Sequence, residues 1–362
     1  MSKFDETVAH TIKHFELHRL EGLEWRVISD IETGVIAITT VEETVLRRFV
    51  KLPDWPHKVV TFFVLQDLAS LQRQLVARSA AIQTGGAKMN LPAGGIAGLA
   101  QRPIVNLYDL ADPAACHVFV NHAAMQKAGY WGDERAETAL LAHEHAHPMV
   151  ETQTVRAARQ LALTTTLTSH FILSTQANVR WLGRLQDVVQ SLCEHLCSYA
   201  PRELFTNSLV VAAGFEAALC HLDRITIERS ALALPGREAL AAGLRTQREL
   251  TDIGRRVFLL AADLQAHLEM AFEVAAFRKE GAEACAEELE QLLRTKVFPA
   301  LTVDVGRLFP RLTEAYAALG AGLSPSEFTH FVRAILMLLT ETFAGYGITM
   351  THEISATVEK EG

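Results

Sequence analysis

Residues 139–148 read Ala-Leu-Leu-Ala-His-Glu-His-Ala-His-Pro, and the chain is expected to be organised around this stretch. It contains the pattern H-E-x-x-H, formed by His143, Glu144 and His147. Residues four apart return to the same face of an α-helix, so both histidines can direct a ring nitrogen at one divalent metal ion. Glu144 would then lie beside the metal, where a carboxylate can take a proton from water and pass it to a leaving amine.

The flanking residues predict a helix that carries this pattern near its C-terminal end. Asp133 precedes an acidic, helix-forming run, which is typical of a helix start. Pro148 disfavours helical geometry at His147, so the helix is expected to end or kink there. His145 lies about 200° around the helix from His143 and cannot join the same metal unless the helix unwinds.

On these residues the middle of the sequence resembles the zincin metallopeptidases. The resemblance implies a zinc ion bound by His143 and His147, Glu144 as the catalytic base, and a third protein ligand further along the chain. The glycine and third histidine of the metzincin branch do not follow His147, where the sequence continues Pro-Met-Val-Glu-Thr. The resemblance is therefore to the gluzincin type, in which the third ligand is a glutamate on a later helix.

Glu203 is the preferred third ligand, and Glu194 is the main alternative; Glu151 and Glu216 are the remaining candidates. Asn207 lies four residues after Glu203, at an offset where gluzincins often place a residue that supports the first histidine. Because Pro201 suits the first turn of a helix, Glu203 equally fits a capping role with no metal nearby. The sequence does not choose the donor that would stabilise an oxyanion, for which the candidates are Tyr199, His221 and Tyr346.

The first third of the chain is expected to contain strands. Residues 1–25 are predicted as a helix carrying His10, His14 and His18, residues 25–41 as a hairpin around Gly34, and residues 57–65 as a strand followed by a helix through Val76. Residues 85–98 form a glycine-rich loop that lacks the phosphate-loop pattern. Strands are predicted at 104–107 and 117–121, and by analogy with zincins the backbone at 119–122 would pair with an extended substrate.

From residue 134 onward the chain is predicted to be mostly helical. The expected fold class is α+β, with a strand-containing N-terminal subdomain (1–132) and a helical subdomain (133–362) that begins with the motif helix. The predicted helices after the motif span residues 154–177, 179–199, 202–227, 237–277, 282–293, 303–319 and 326–343.

Composition limits the possible partners. A net charge of −8 and a pI near 6.0 argue against nucleic acid, because no basic stretch offers a phosphate-neutralising surface. Five cysteines do not suggest a disulfide framework, and Cys193 and Cys197 are expected to be small buried residues. No stretch resembles a membrane span or a signal core, so a cytoplasmic location is expected.

The function that the resemblance implies is zinc-dependent hydrolysis of a peptide or protein substrate. Two alternatives remain open. A ferritin-like di-iron oxygenase would pair Glu144-x-x-His147 with Glu327-x-x-His330. A non-catalytic helical binding protein would leave the histidines incidental. Neither the identity of the substrate nor the oligomeric state is indicated by the sequence.

Overall fold

The fold is α+β, as predicted: a mixed five-stranded sheet lies in the N-terminal part, and the C-terminal part is mostly helical. The computed structural model describes residues 12–73, 75, 95–110, 112–150, 158, 161–169, 179–322 and 324–356. The chain forms two compact units, one of residues 1–151 with 213–222 and one of residues 152–212 with 223–362. The sequence-based subdomain boundary between residues 132 and 133 stays a prediction.

The sheet of the first unit has the strand order β1-β2-β3-β5-β4. β1 and β2 are antiparallel, β3 is parallel to both β2 and β5, and β4 is antiparallel to β5. The strands span His14–Leu20 (β1), Leu23–Ser29 (β2), Val59–Leu65 (β3), Ile104–Tyr108 (β4) and Ala115–Asn121 (β5).

The interior strands of this sheet are apolar along most of their length. β3 reads Val-Val-Thr-Phe-Phe-Val-Leu and is buried from its second residue onward. The rings of Phe63 and Phe119 stack across β3 and β5 with centroids 4.7 Å apart. Parallel strands covered on both faces need such continuous apolar runs, which is why β3 was predicted correctly.

The prediction for residues 1–41 was wrong in two places. Residues 14–20 form β1 rather than a helix, and the hairpin turn lies at Glu21 and Gly22, both with positive φ. The predicted hairpin around Gly34 is instead the start of helix α1 (Val35–Phe49). Its β-branched residues favour a strand locally, but Val35, Ile38 and Val45 recur at helical spacing on a buried face. Residues 1–11, including His10, lie outside the described residues.

Two further predictions fall partly on residues that are not described. Residues 69–73 are helical, in agreement with the predicted helix after β3. Residues 74 and 76–94, which include most of the predicted glycine-rich loop, lie outside the described part of the chain. The loop's last residues belong to a 3-10 helix, Gly95–Gln101.

The motif helix follows β5 and a short helix, α2 (His122–Lys127). Helix α3 spans Glu134–Ala146. Asp133 caps it, because its Oδ1 accepts the backbone N–H groups of Arg135 at 3.2 Å and Ala136 at 3.1 Å. The other oxygen, Oδ2, accepts a hydrogen bond from His221 Nε2 at 2.7 Å. The helix start predicted from the acidic run is confirmed.

The described chain after residue 160 is mostly helical, apart from two strands. β6 (Leu161–Ser169) pairs antiparallel with β7 (Ile348–Ala356). The helices are α4 (Val179–Glu194), α5 (Ala200–Val210), α6 (Glu216–Leu232), α7 (Leu234–Thr246), α8 (Asp252–His267), α9 (Met270–Lys279), α10 (Glu283–Leu292), α11 (Val303–Ala317) and α12 (Pro325–Ala344).

The helix predicted at 154–177 was wrong over 161–169, which is β6. Leu163, Thr165 and Leu167 are buried and alternate with exposed threonines, a period of two rather than 3.6. Helix α4 covers this strand: Gln190 Oε1 accepts the N–H of Thr165 at 2.7 Å, and Gln186 Oε1 accepts that of Leu167 at 2.8 Å. These side chains satisfy backbone groups that an open strand edge would expose.

One continuous helical run among the described residues, 180–246, is long and apolar enough to cross a membrane by length and composition. Within its most apolar window, 61% of the residues are buried inside the structure. Core helices of globular proteins pass the same test, so this run is weak evidence for a membrane span.

The cap of helix α3 gives a prediction for stability. Asp133→Ala should lower the free energy of unfolding by about 1 kcal/mol at neutral pH, because two helix N–H groups lose their acceptor, and Asp133→Asn should cost less. Urea denaturation followed by tryptophan fluorescence measures both. An alanine variant as stable as the wild type would contradict this role.

The same cap should depend on pH. Burial raises the pKa of Asp133, but hydrogen bonds from His221 and from the N–H of Ala136 outweigh it, so the pKa lies below its ordinary value. A lowered folded pKa gives stability that is complete above the unfolded value of about 4 and is lost as the pH falls through the folded value. The stability difference between wild type and Asp133→Ala should therefore shrink in that acidic range.

Candidate metal centre

The two motif histidines lie side by side on one face of the helix end. Their ring centroids are 4.6 Å apart, and the ring planes are nearly perpendicular, at 86°. Helix α3 ends at Ala146, as predicted from the position of Pro148, and is followed by a 3-10 turn, His147–Val150. His147 keeps right-handed helical dihedrals, φ −50° and ψ −48°, so the four-residue spacing still brings both rings to the same side.

Glu203 joins these histidines. One ligand atom each from His143, His147 and Glu203 lies within 4.8 Å of the other two. Glu203 is in the first turn of α5, after Pro201 and after a π-helical turn at His195–Tyr199. The side chains of His147 and Glu203 are buried, with relative exposures of 6% and 5%. The structure therefore brings together the three residues that the sequence analysis named as metal ligands.

The surroundings of Glu203 are rich in carboxylates. Arg202 Nη1 lies 3.8 Å from Glu203 Oε1, and both residues are buried. Burial raises the pKa of Glu273 well above its ordinary value, and the carboxylates of Asp223, Glu269 and Glu203 raise it further. Protons, the nearby Arg202 or a bound cation can balance the buried carboxyl groups of this region.

His195, which is not part of the motif, also interacts with this acidic group. Burial lowers the pKa of His195, while the charges of Glu269 and Glu203 act against that shift. Its Nε2 lies 3.3 Å from a carboxylate oxygen of Glu269. His195 is thus paired with Glu269 rather than grouped with the three ligand candidates.

Glu144 is held by the edge of the sheet. Its Oε2 accepts the backbone N–H of Asn106 at 2.9 Å, and its backbone carbonyl accepts Asn106 Nδ2 at 3.1 Å. Asn106 is in β4, one of the two edge strands of the sheet. The analogy that placed the substrate-pairing edge at 119–122 was therefore wrong, because β5 lies inside the sheet, between β3 and β4.

The other described ligand candidates, Glu194 and Glu216, do not belong to this group. Glu194 is exposed at the end of α4, where it accepts a hydrogen bond from Gln190 Nε2 at 2.6 Å. Glu216 is exposed at the start of α6, and Glu151 lies outside the described residues. In β1, His14 and His18 contact the carboxylate of Glu16 at 2.9 and 2.8 Å.

The sequence also suggested residues that would support the site, namely Asn207 and three candidate oxyanion donors. Asn207 is buried one turn after Glu203, and its role beside the first histidine stays a prediction. Among the oxyanion candidates, His221 binds Asp133, Tyr346 donates to Asp304 Oδ2 at 2.6 Å, and the Tyr199 ring packs 4.9 Å from His195. No donor is selected by these contacts.

The second E-x-x-H pattern serves to start a helix. Glu327 and Ser324 form a reciprocal capping box at the N-terminus of α12. His330 contacts the carbonyl oxygen of Ser326 through Nδ1 at 2.9 Å, and both Glu327 and His330 are exposed. These residues have a local structural role, which weakens the di-iron alternative.

The cysteines form no disulfide framework. None of the five is in a disulfide, and Cys193 and Cys197 are buried, as expected. Burial raises the pKa of Cys193 to about 11, so its thiol is protonated at neutral pH.

Comparison with known proteins adds no family: no protein-family model, no curated protein and no solved structure matches this chain.

The contact between Asn106 and the motif gives a test of how Glu144 is held. Asn106→Ala should lower the free energy of unfolding by about 1–3 kcal/mol, because the buried carbonyl of Glu144 loses its side-chain donor. The backbone N–H to Glu144 Oε2 remains, so metal content should not change. Urea denaturation and metal analysis check the two parts, and a variant as stable as the wild type would contradict the first.

Proposed function

We propose that the protein is a zinc-dependent hydrolase that cleaves peptide bonds. The observation that supports this most directly is the grouping of His143, His147 and Glu203 within 4.8 Å. Two imidazoles and one carboxylate form the ligand set of catalytic zinc sites that keep one position for water or substrate. The half-buried Glu144 next to His143 supplies the carboxylate that hydrolysis needs.

The residues of the site fit a divalent cation. A positive charge would stabilise the buried Glu203, and the imidazoles of His143 and His147 can supply nitrogen ligands. A zinc ion held by His143, His147 and Glu203 would supply Lewis-acid polarisation of the scissile carbonyl and would lower the pKa of a water molecule toward about 7. Iron(II) also binds to this set of ligands. The choice of zinc rather than iron is therefore proposed here and is tested below by metal analysis.

Glu144 acts as the general base in this proposal. The Asn106 N–H fixes the orientation of its carboxylate, which takes a proton from the attacking water and passes it to the leaving amine. Because β4 is an edge strand and contacts Glu144 directly, an extended peptide alongside it would place a scissile bond near this carboxylate. This position of the strand supports a peptide or protein as the substrate.

The metal site can be tested by metal content. Protein purified without chelators or an affinity tag should contain about one zinc per chain. His143→Ala and Glu203→Ala should lose it, because each removes one of three protein ligands. Mass-spectrometric metal analysis also distinguishes zinc from iron.

The matched control for Glu203→Ala is Glu194→Ala, which removes an exposed glutamate that is the main alternative ligand by sequence. This control should keep its metal. Metal-free wild type would contradict the site and favour a non-catalytic binding protein. Loss of metal in Glu194→Ala alone would contradict the assignment of Glu203.

The role of Glu144 can be separated from metal binding. Glu144→Gln should keep zinc and reduce hydrolysis of a casein or peptide-library substrate by about 10²–10⁴-fold, because the amide cannot accept the proton of water. Glu134→Gln, at the exposed start of the same helix, is the control and should retain activity. Full activity in Glu144→Gln would contradict the mechanism.

A further inference from the structure

A histidine inside the motif, His145, is bound to a glutamate on another helix. Its Nε2 donates to Glu42 Oε1 at 2.7 Å, and both side chains are completely buried. Glu42 lies in the middle of α1, and 103 residues separate it from His145 along the chain. The rings of Phe49 and Trp55 pack against the imidazole, with centroids 6.1 and 5.6 Å away.

Burying these two polar side chains in the core is energetically unfavourable. Glu42 Oε2 and His145 Nδ1 are buried and have no hydrogen-bond partner in the part of the chain that the structure describes, and the same is true of the neighbouring Trp55 Nε1 and His57 Nε2. Buried polar groups without partners destabilise a fold, and a buried charged pair is often no more stable than apolar residues of the same size. Stability alone does not account for Glu42 and His145.

The position of His145 indicates what the pair achieves. It points about 200° around α3 from His143, toward the side of the helix away from the metal ligands. Apolar packing on that side resists separation of the helices but allows rotation and sliding. A directional hydrogen bond from His145 to Glu42 opposes both movements.

We propose that Glu42 is a positioning residue for the metal centre: by holding His145, it fixes the rotation of α3 and thereby the directions of His143 and His147. This inference rests on the proposed metal site. Glu42 does not contact the metal, the substrate or Glu144 in this role. Asn106 holds the same helix from the sheet, so the two contacts act on neighbouring residues from different elements.

The test replaces the pair by apolar residues of similar size. Glu42→Met with His145→Leu should leave the melting temperature of metal-free protein unchanged or raised, because the buried polar groups are gone. The dissociation constant for Zn²⁺ should nevertheless rise about tenfold or more, as when groups supporting metal ligands are lost. The readouts are calorimetric melting without metal and competition with a chromophoric zinc chelator.

A conservative variant separates positioning from a general core defect. Glu42→Gln keeps an acceptor for the His145 N–H, so its Zn²⁺ dissociation constant should stay within about threefold of wild type. The visible absorption of the Co²⁺-loaded protein should be unchanged in Glu42→Gln and shifted in the double variant, because that absorption reports ligand geometry. Glu137 is another buried carboxylate, on α3. Glu137→Gln controls for the effect of replacing any buried glutamate by glutamine and should bind Zn²⁺ normally.

Three results would overturn the positioning role of Glu42, and they can be distinguished from one another. An unchanged Zn²⁺ dissociation constant in the double variant, with zinc-binding wild type, overturns the positioning role and leaves the metal site intact. Unfolding or a lower melting temperature of the double variant assigns the pair to stability and also overturns it. Wild type that does not bind Zn²⁺ overturns this inference together with the proposed function.

Discussion

The geometry of the candidate centre depends on one turn of helix that stays regular up to a proline. His147 precedes Pro148, and the residue before a proline usually avoids helical dihedrals. Here it retains them, with φ −50° and ψ −48°, and the chain continues into a 3-10 turn. If His147 became extended, its ring would leave the face of His143. The pairing of the histidines therefore depends on where α3 ends as much as on the motif itself.

The second constraint is electrostatic. Glu203 is buried beside Arg202, and burial, together with neighbouring carboxylates, raises the pKa of Glu273 well above its ordinary value. A fold that buries negative charge in this way is destabilised unless a cation or protons balance it. A metal ion bound by His143, His147 and Glu203, as we propose, would supply such a cation.

Local signals in the sequence were enough to predict the motif helix, and contacts between distant residues were not. Asp133, the acidic first turn and Pro148 act within a few residues, so the start and end of α3 were predictable. The helix at 35–49 was missed because its β-branched residues favour a strand, while helical burial appears only once the sheet is known. The outer position of β4 likewise depends on strand order, which the local pattern does not contain.

The same distinction explains which site residues were found. The i, i+4 histidines and a downstream glutamate belong to a motif, whereas Asn106 and Glu42 lie 38 and 103 residues from the groups they bind. Successive residues of α3 are thus held by different elements: Glu144 by β4 and His145 by α1. Hydrogen bonds in different directions around a helix restrict its rotation and its translation together. Glu144 and His145, which lie between the two histidines, therefore hold α3 in one orientation. In the proposed metal site, this orientation sets the directions of His143 and His147.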